Sequence, residues 1–145
     1  MSVPTPEAGL VISYAYLWQR EHEQGREEGG KDRPCAIIVA LLQADESYRV
    51  LVVPVTHAPP MVEAEAMEIP LAVKKRLGLD AERSWIVLTE SNEFSWPGPD
   101  LRPIRGRSDG AMAYGMLPPT FFVELRRRFV EIERARRSRR VPRTE

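Results

Sequence analysis

The chain of 145 residues is enough for one domain and short of two. Its 43% hydrophobic and 29% charged composition excludes collagen-like, coiled-coil and wholly disordered chains. The formal charge is zero, but residues 1–125 carry 12 Lys/Arg against 18 Asp/Glu, whereas residues 126–145 carry 9 against 3, so an acidic body ends in a basic segment.

The first eight residues hold Pro4 and Pro6 and are expected to be a disordered N-terminus, with order beginning near Gly9. Leu10 to Trp18 is rich in β-branched and aromatic residues and predicts strand one. Residues 19–33 hold three glycines and no large apolar side chain, so a mobile surface loop is expected there. Two apolar runs follow, Cys35 to Leu42 and Tyr48 to Thr56, joined by a short polar turn, and these read as a buried antiparallel hairpin. Pro54 cannot donate a ladder hydrogen bond, which points to an edge or a bulge at its end of the second strand.

After the loop His57-Ala-Pro-Pro, Ala64 to Ile69 predicts a short strand, and Pro70 to Leu77 a short helix ended by Gly78. Ser84 to Glu90 is the next strong strand. Residues 92–110, dense in Pro and Gly, predict an irregular excursion with a brief strand near Leu101 to Arg105. From Pro118 to Glu133 the residues Phe121, Phe122, Leu125, Phe129 and Ile132 recur at helical spacing and form one apolar face, suited to the core or a dimer surface. Beyond Glu133 the chain is a basic tail without an apolar stripe, expected to be frayed or disordered. The division is therefore 1–8 as N-terminus, 9–133 as the folded domain and 134–145 as the tail. Local hairpins with one terminal helix favour an α+β fold: a small curled antiparallel sheet or barrel with a helix packed on it.

A single cysteine, Cys35, excludes an intrachain disulfide and a multi-cysteine zinc site, fits a reduced compartment, and is most simply a small buried hydrophobe. No apolar run approaches the roughly 18 residues of a membrane span, and the start lacks a charged-then-apolar leader. A cytoplasmic protein without membrane contact is expected. With two histidines and one cysteine, neither a metal nor a cofactor is expected.

Hairpin topology brings the start of its first strand and the end of its second to one end of the sheet. Glu28 to Pro34 and Val53 to His57 should therefore converge into a phosphate site. Arg33 offers a bidentate fork, Thr56 a neutral hydroxyl, and Glu28 or His57 a group that moves a proton. The simpler readings are an arginine paired with Asp32 or Glu28, a threonine capping a turn, a glutamate in a solvated charge cluster and an exposed turn histidine. Lys31 beside Arg33, Trp96 in its Pro/Gly loop, and Arg126 and Arg127 on the terminal helix are candidates for holding a phosphate-bearing chain, by charge or by stacking on its bases. Trp18 is a further stacking candidate, and Trp85, inside an apolar strand, reads as core.

At these residues the sequence resembles the MazF/PemK (Kid) family of toxin ribonucleases from toxin–antitoxin pairs. The resemblance lies in Gly9 opening a strand, a Gly-rich loop ending in Arg33-Pro34 before an apolar strand, and Pro54-Val55-Thr56 closing the next. It continues in Trp85 to Glu90 and in Gly115-Met-Leu-Pro-Pro119 before a helix. It implies an SH3-like small barrel of the MazF/PemK/CcdB type with a C-terminal helix, usually a homodimer. It further implies a hydrolase that cuts single-stranded RNA without a metal, leaving a 2′,3′-cyclic phosphate, and is controlled by an antitoxin protein. Carried over by position, Arg33 would stabilise the pentacovalent charge, Thr56 would hold a phosphate oxygen and Glu28 would be the base. Departures from the pattern are Lys31-Asp32 before Arg33, the aromatic texture of strand one, and residues 92–110. The alternative readings are a non-enzymatic binding module on the same fold, such as a gyrase-type protein binder, and a degenerate toxin-like protein that only dimerises.

Overall fold

A computed structural model describes residues 3–25, 31–135 and 139–143. In chain order these form β1 (Leu10–Tyr14), α1 (Gln19–Glu23), β2 (Arg33–Leu42), β3 (Tyr48–Thr56), a 3₁₀ turn (Glu63–Glu65), β4 (Ala66–Glu68), α2 (Leu71–Leu77), β5 (Trp85–Val87), β6 (Glu90–Ser95), β7 (Ala113–Met116), α3 (Pro119–Arg134) and β8 (Arg139–Pro142). The sheet runs β4-β5-β3-β2-β1-β7, with β6 also on β3 and β8 on β6. It is antiparallel except for the β6–β8 pair, and along this path it is open. No helix among the described residues is long and apolar enough to cross a membrane.

The hairpin forms as expected, and its continuous apolar runs have a simple cause: both faces of this sheet are buried. Ala36, Ile38, Leu51, Val53 and Val55 point to one core, shared with Val73 and Leu77 of α2 and Leu125, Phe129 and Ile132 of α3. Cys35, Ile37, Val50 and Val52 point to the other, with Tyr14, Tyr16, Phe94 and Leu101. Alternate residues serve alternate cores because strand side chains have a period of two. A bulge between Ile37 and Val39 interrupts this, so that Ile38 and Val39 both face the helical side. Pro54 lies where its missing donor is harmless: on that edge of β3, β6 pairs with Arg49 to Val52 and β5 with Val55 and Thr56.

Several expectations are corrected. Strand one stops at Tyr14; Ala15 to Trp18 run on without a ladder, although Leu17 gives its N–H to Asn92 Oδ1 and receives the Asn92 amide on its carbonyl. The polar stretch after Trp18 begins as helix α1, in which no residue is buried, so no apolar pattern announced it. The strand expected over Ser84 to Glu90 is two strands, β5 and β6, with Leu88 and Thr89 between them. Most of β6 falls inside the supposedly irregular 92–110 segment. Its Ser-Asn-Glu-Phe-Ser texture hid it, because Asn92 is buried yet hydrogen-bonded while Phe94 stacks on Tyr14 at 4.6 Å. The brief strand expected near Leu101 to Arg105 reduces to a single bridge between Leu101 and Tyr14.

Described residues near each end of the chain are also engaged. Pro4 accepts the Trp96 indole N–H at 3.0 Å and Pro6 is buried. The basic tail returns to the sheet as β8. Val141 is buried, and Arg143 donates to Asp100 Oδ2 and Asn92 Oδ1, both at 2.8 Å, and to the Ala15 carbonyl at 3.1 Å.

Candidate phosphate pocket

Three backbone pairings assemble one end of the sheet. Arg33 begins β2 opposite Tyr14, the last residue of β1. Thr56 ends β3 opposite Trp85 of β5. The segment just before Trp85 therefore lies beside His57, which follows Thr56. The space between them is a pocket of about 490 Å³ whose lining includes Trp18, Arg20, Lys31, Asp32, Arg33, Thr56, His57, Asp80 and Arg105. Among the described residues, four fixed cations face two carboxylates there, in a molecule with no net charge. A concave site with a local excess of one sign concentrates ligands of the other.

Arg33 is half-buried. Its guanidinium lies over the Trp18 ring, 4.9 Å from the centroid, and Nη1 donates to the Val55 carbonyl at 3.3 Å. Nε is buried and meets no hydrogen-bond partner among the described residues. Desolvation lowers the Arg33 pKa, and Cys35 and Glu21 act in the opposite sense. The group remains a cation in any ordinary solution. Among the described residues, its side chain is held by an aromatic face and one backbone carbonyl.

Thr56 Oγ1 accepts the Ala58 N–H at 3.1 Å, so its hydroxyl caps the following turn and still has its own proton to donate. His57 Nε2 sits 2.8 Å from Asp80 Oδ2. Trp18 is fixed from below: Glu90 Oε1 accepts both the Gln19 N–H at 2.9 Å and the Tyr16 hydroxyl at 3.1 Å, which ties the start of α1 to β6.

A second depression of about 360 Å³ shares Trp18, Arg20, Thr56 and Ala58 with the first and is walled by Pro59, Pro60, Met61 and Val87. The two form one groove, polar at the Arg33 end and more apolar beyond Trp18.

Of the residues expected at the site, Arg33, Thr56, His57 and Lys31 line one pocket. Glu28 lies outside the described residues. Trp96 packs with Phe94 and bonds to Pro4, at the edge of the second core and not on the pocket lining. Arg126 is exposed on α3, and Arg127 on the same helix is bound to Glu124 at 2.7 Å and Glu131 at 2.6 Å; neither lines the pocket. Sequence reasoning missed Arg20, Arg105, Asp80 and the buried Lys74 that holds Asp80. A signal for the last existed, since positions 73, 74 and 77 share one helical face and a lysine on an apolar stripe needs an acceptor.

His57, Asp80 and Glu82 form the group among the described residues able to offer a cation three ligand atoms within 4.8 Å of one another. The Lys74 side chain, 2.6 Å from Asp80 Oδ1, already pairs with this carboxylate, so the trio belongs to an ion network. Neither protein-family models nor curated proteins give a match to this chain.

Proposed function

We propose that the pocket binds the scissile phosphate of single-stranded RNA and that the protein is a metal-independent endoribonuclease toxin of the MazF/PemK type. In this reading the open sheet corresponds to the SH3-like barrel of that family, and the protein works as a cytoplasmic homodimer controlled by an antitoxin. One observation carries the proposal: Arg33 and Thr56, far apart in sequence, meet in a groove edged by Arg20, Lys31 and Arg105.

The chemistry follows from the donors. The 2′-oxygen bonds to phosphorus and gives its proton to a base. The bond from phosphorus to the 5′-oxygen breaks, and that oxygen takes up a proton, leaving a 2′,3′-cyclic phosphate. Arg33 and Thr56 face the oxygens on which charge grows, and preorganised donors of this kind contribute about 10²–10³-fold each. Glu28 remains a proposed base from the family resemblance. Among the residues lining the pocket, His57 can take the proton.

The test is mixed-sequence single-stranded RNA in EDTA, with the new ends examined chemically. Cyclic phosphate ends, lost in Arg33→Ala and reduced by about 10²–10³-fold in Thr56→Val, are the expected result. Intact RNA with wild-type protein removes the enzyme reading. A second reading, an RNA-binding module without cleavage, draws on the Thr56 hydroxyl accepting the Ala58 N–H and Arg33 donating to the Val55 carbonyl. It predicts RNA binding that Arg33→Ala abolishes, with no cleavage by either protein.

A further inference from the structure

The rim of the pocket at His57 is the visible end of a chain of charge that starts in the core. Lys74 is 2% exposed. Its ammonium donates to Asp80 Oδ1 at 2.6 Å, to Ser84 Oγ at 2.7 Å and to the Glu82 carbonyl. An ammonium has three protons, and here three acceptors meet them. Burying such a group is costly unless it is paired, so these three acceptors hold the lysine in its place.

Asp80 divides its oxygens. Oδ1 receives Lys74 and, at 3.2 Å, the Glu82 N–H, while Oδ2 faces His57 Nε2 at 2.8 Å. Partial desolvation pushes the Asp80 carboxyl up, but the hydrogen bonds from Lys74 and His57 outweigh it and hold the group below the usual aspartate range. An ionised carboxylate can only accept, so the nitrogen facing it must carry a proton. In a neutral imidazole the other nitrogen, Nδ1, is then the acceptor. Nδ1 makes no hydrogen bond to a described residue, and His57 lines the pocket.

Other charges surround the ring. Glu82 Oε2 is 3.8 Å from Nε2, on the same segment as Asp80. Across the pocket stand Lys31, Asp32 and Arg33 at the start of β2, Arg20 on α1, and Arg105.

We infer that Lys74 and Asp80 are positioning residues that hold His57 as its Nε2–H tautomer and present Nδ1 to the anion bound in the pocket. The inference rests on the phosphate reading of that pocket. When the 2′-hydroxyl attacks, Nδ1 takes its proton, the imidazolium is stabilised by Asp80, and the departing 5′-oxygen is protonated by water.

Ring-nitrogen NMR of the full chain tests this directly, since His22 and His57 are its two histidines. Above the imidazole titration, wild-type His57 is expected as the Nε2–H tautomer, and inorganic phosphate should move the Nδ1 resonance. In Asp80→Asn the amide can donate to Nε2 instead, so the tautomer preference should reverse or vanish. The same variant should lower kcat for RNA about 10²-fold, at the low end of general acid–base contributions, with KM nearly unchanged and the limb of the pH profile that reports His57 displaced. Lys74→Met should weaken the tautomer preference wherever it folds, and the wild-type spectrum decides the matter if it does not. A wild-type ring in the Nδ1–H form, a preference untouched in Asp80→Asn, or an Nδ1 resonance blind to phosphate each overturns the inference. Intact RNA alongside the expected tautomer and phosphate response supports the positioning network and removes the ribonuclease reading alone.

Discussion

At the scale of single residues, the site depends on polar groups taken partly out of water and then held. Glu90 shows the balance. Burial pushes its carboxyl above the usual glutamate range, against the pull of the Gln19 N–H, the Tyr16 hydroxyl and Arg20. The folded state therefore favours the protonated acid more than the unfolded chain does. Its contribution to stability is full below the ordinary glutamate pKa of about 4.3 and declines as pH rises through the raised folded value. Glu90→Gln keeps an oxygen that can accept both hydrogen bonds and removes the charge. Denaturant melts across that pH window should show the wild type losing stability relative to the variant as pH rises; parallel curves would contradict the assignment. Cys35 is the quieter counterpart. Burial pushes its thiol far up, its Sγ approaches the Arg33 carbonyl at 3.7 Å, and it packs as the small hydrophobe its sequence context suggests.

At the scale of elements, β8 departs furthest from expectation. Read along the chain, a run of arginines after a helix is a solvated tail; in the fold, Val141 fills the sheet and Arg143 closes a buried ion pair with Asp100. The guanidinium also lies over the Tyr14 ring, 5.5 Å from its centroid. Removing one member of a buried pair takes the counter-ion from the other, which costs about 3–5 kcal/mol. Arg143→Ala should therefore lower the unfolding free energy in urea by about that amount, and deletion of residues 139–145 by at least as much. Loss of less than about 1 kcal/mol in both, the value of an exposed pair, would return β8 to the status of a tail. The hairpin and α3 behaved differently because their information is local: continuous β-branched runs and a helical stripe of Phe and Leu say which face is buried without reference to a partner.

At the scale of the whole molecule, zero net charge conceals an uneven surface. The groove gathers Arg20, Lys31, Arg33 and Arg105, whereas on α3 the side chains of Arg127 are spent on Glu124 and Glu131, and Arg128 donates to the backbone of Glu63, Ala64 and Ala66. If RNA follows the groove, each lost groove cation should flatten the dependence of log Kobs on log salt by about 0.7, the single-strand value per phosphate. Binding isotherms at several salt concentrations should show that change in Arg20→Ala and Arg105→Ala and none in Arg126→Ala. A slope that moves with Arg126 instead would put the RNA path along α3.

The sequence by itself determined the hairpin, the α2 and α3 helices and the meeting of Arg33 with Thr56, because each follows from local periodicity or from the topology of adjacent strands. Tertiary structure decided the remainder: that β6 could be polar and still central, that Arg139–Pro142 of the tail form a strand, and that His57 faces Asp80 and through it Lys74. These depend on pairs distant in the chain, such as Thr56 beside Trp85 and Asn92 beside Leu17. A buried polar residue is stable only when a partner meets it. Its own neighbours in sequence cannot reveal that partner; the folded chain supplies it.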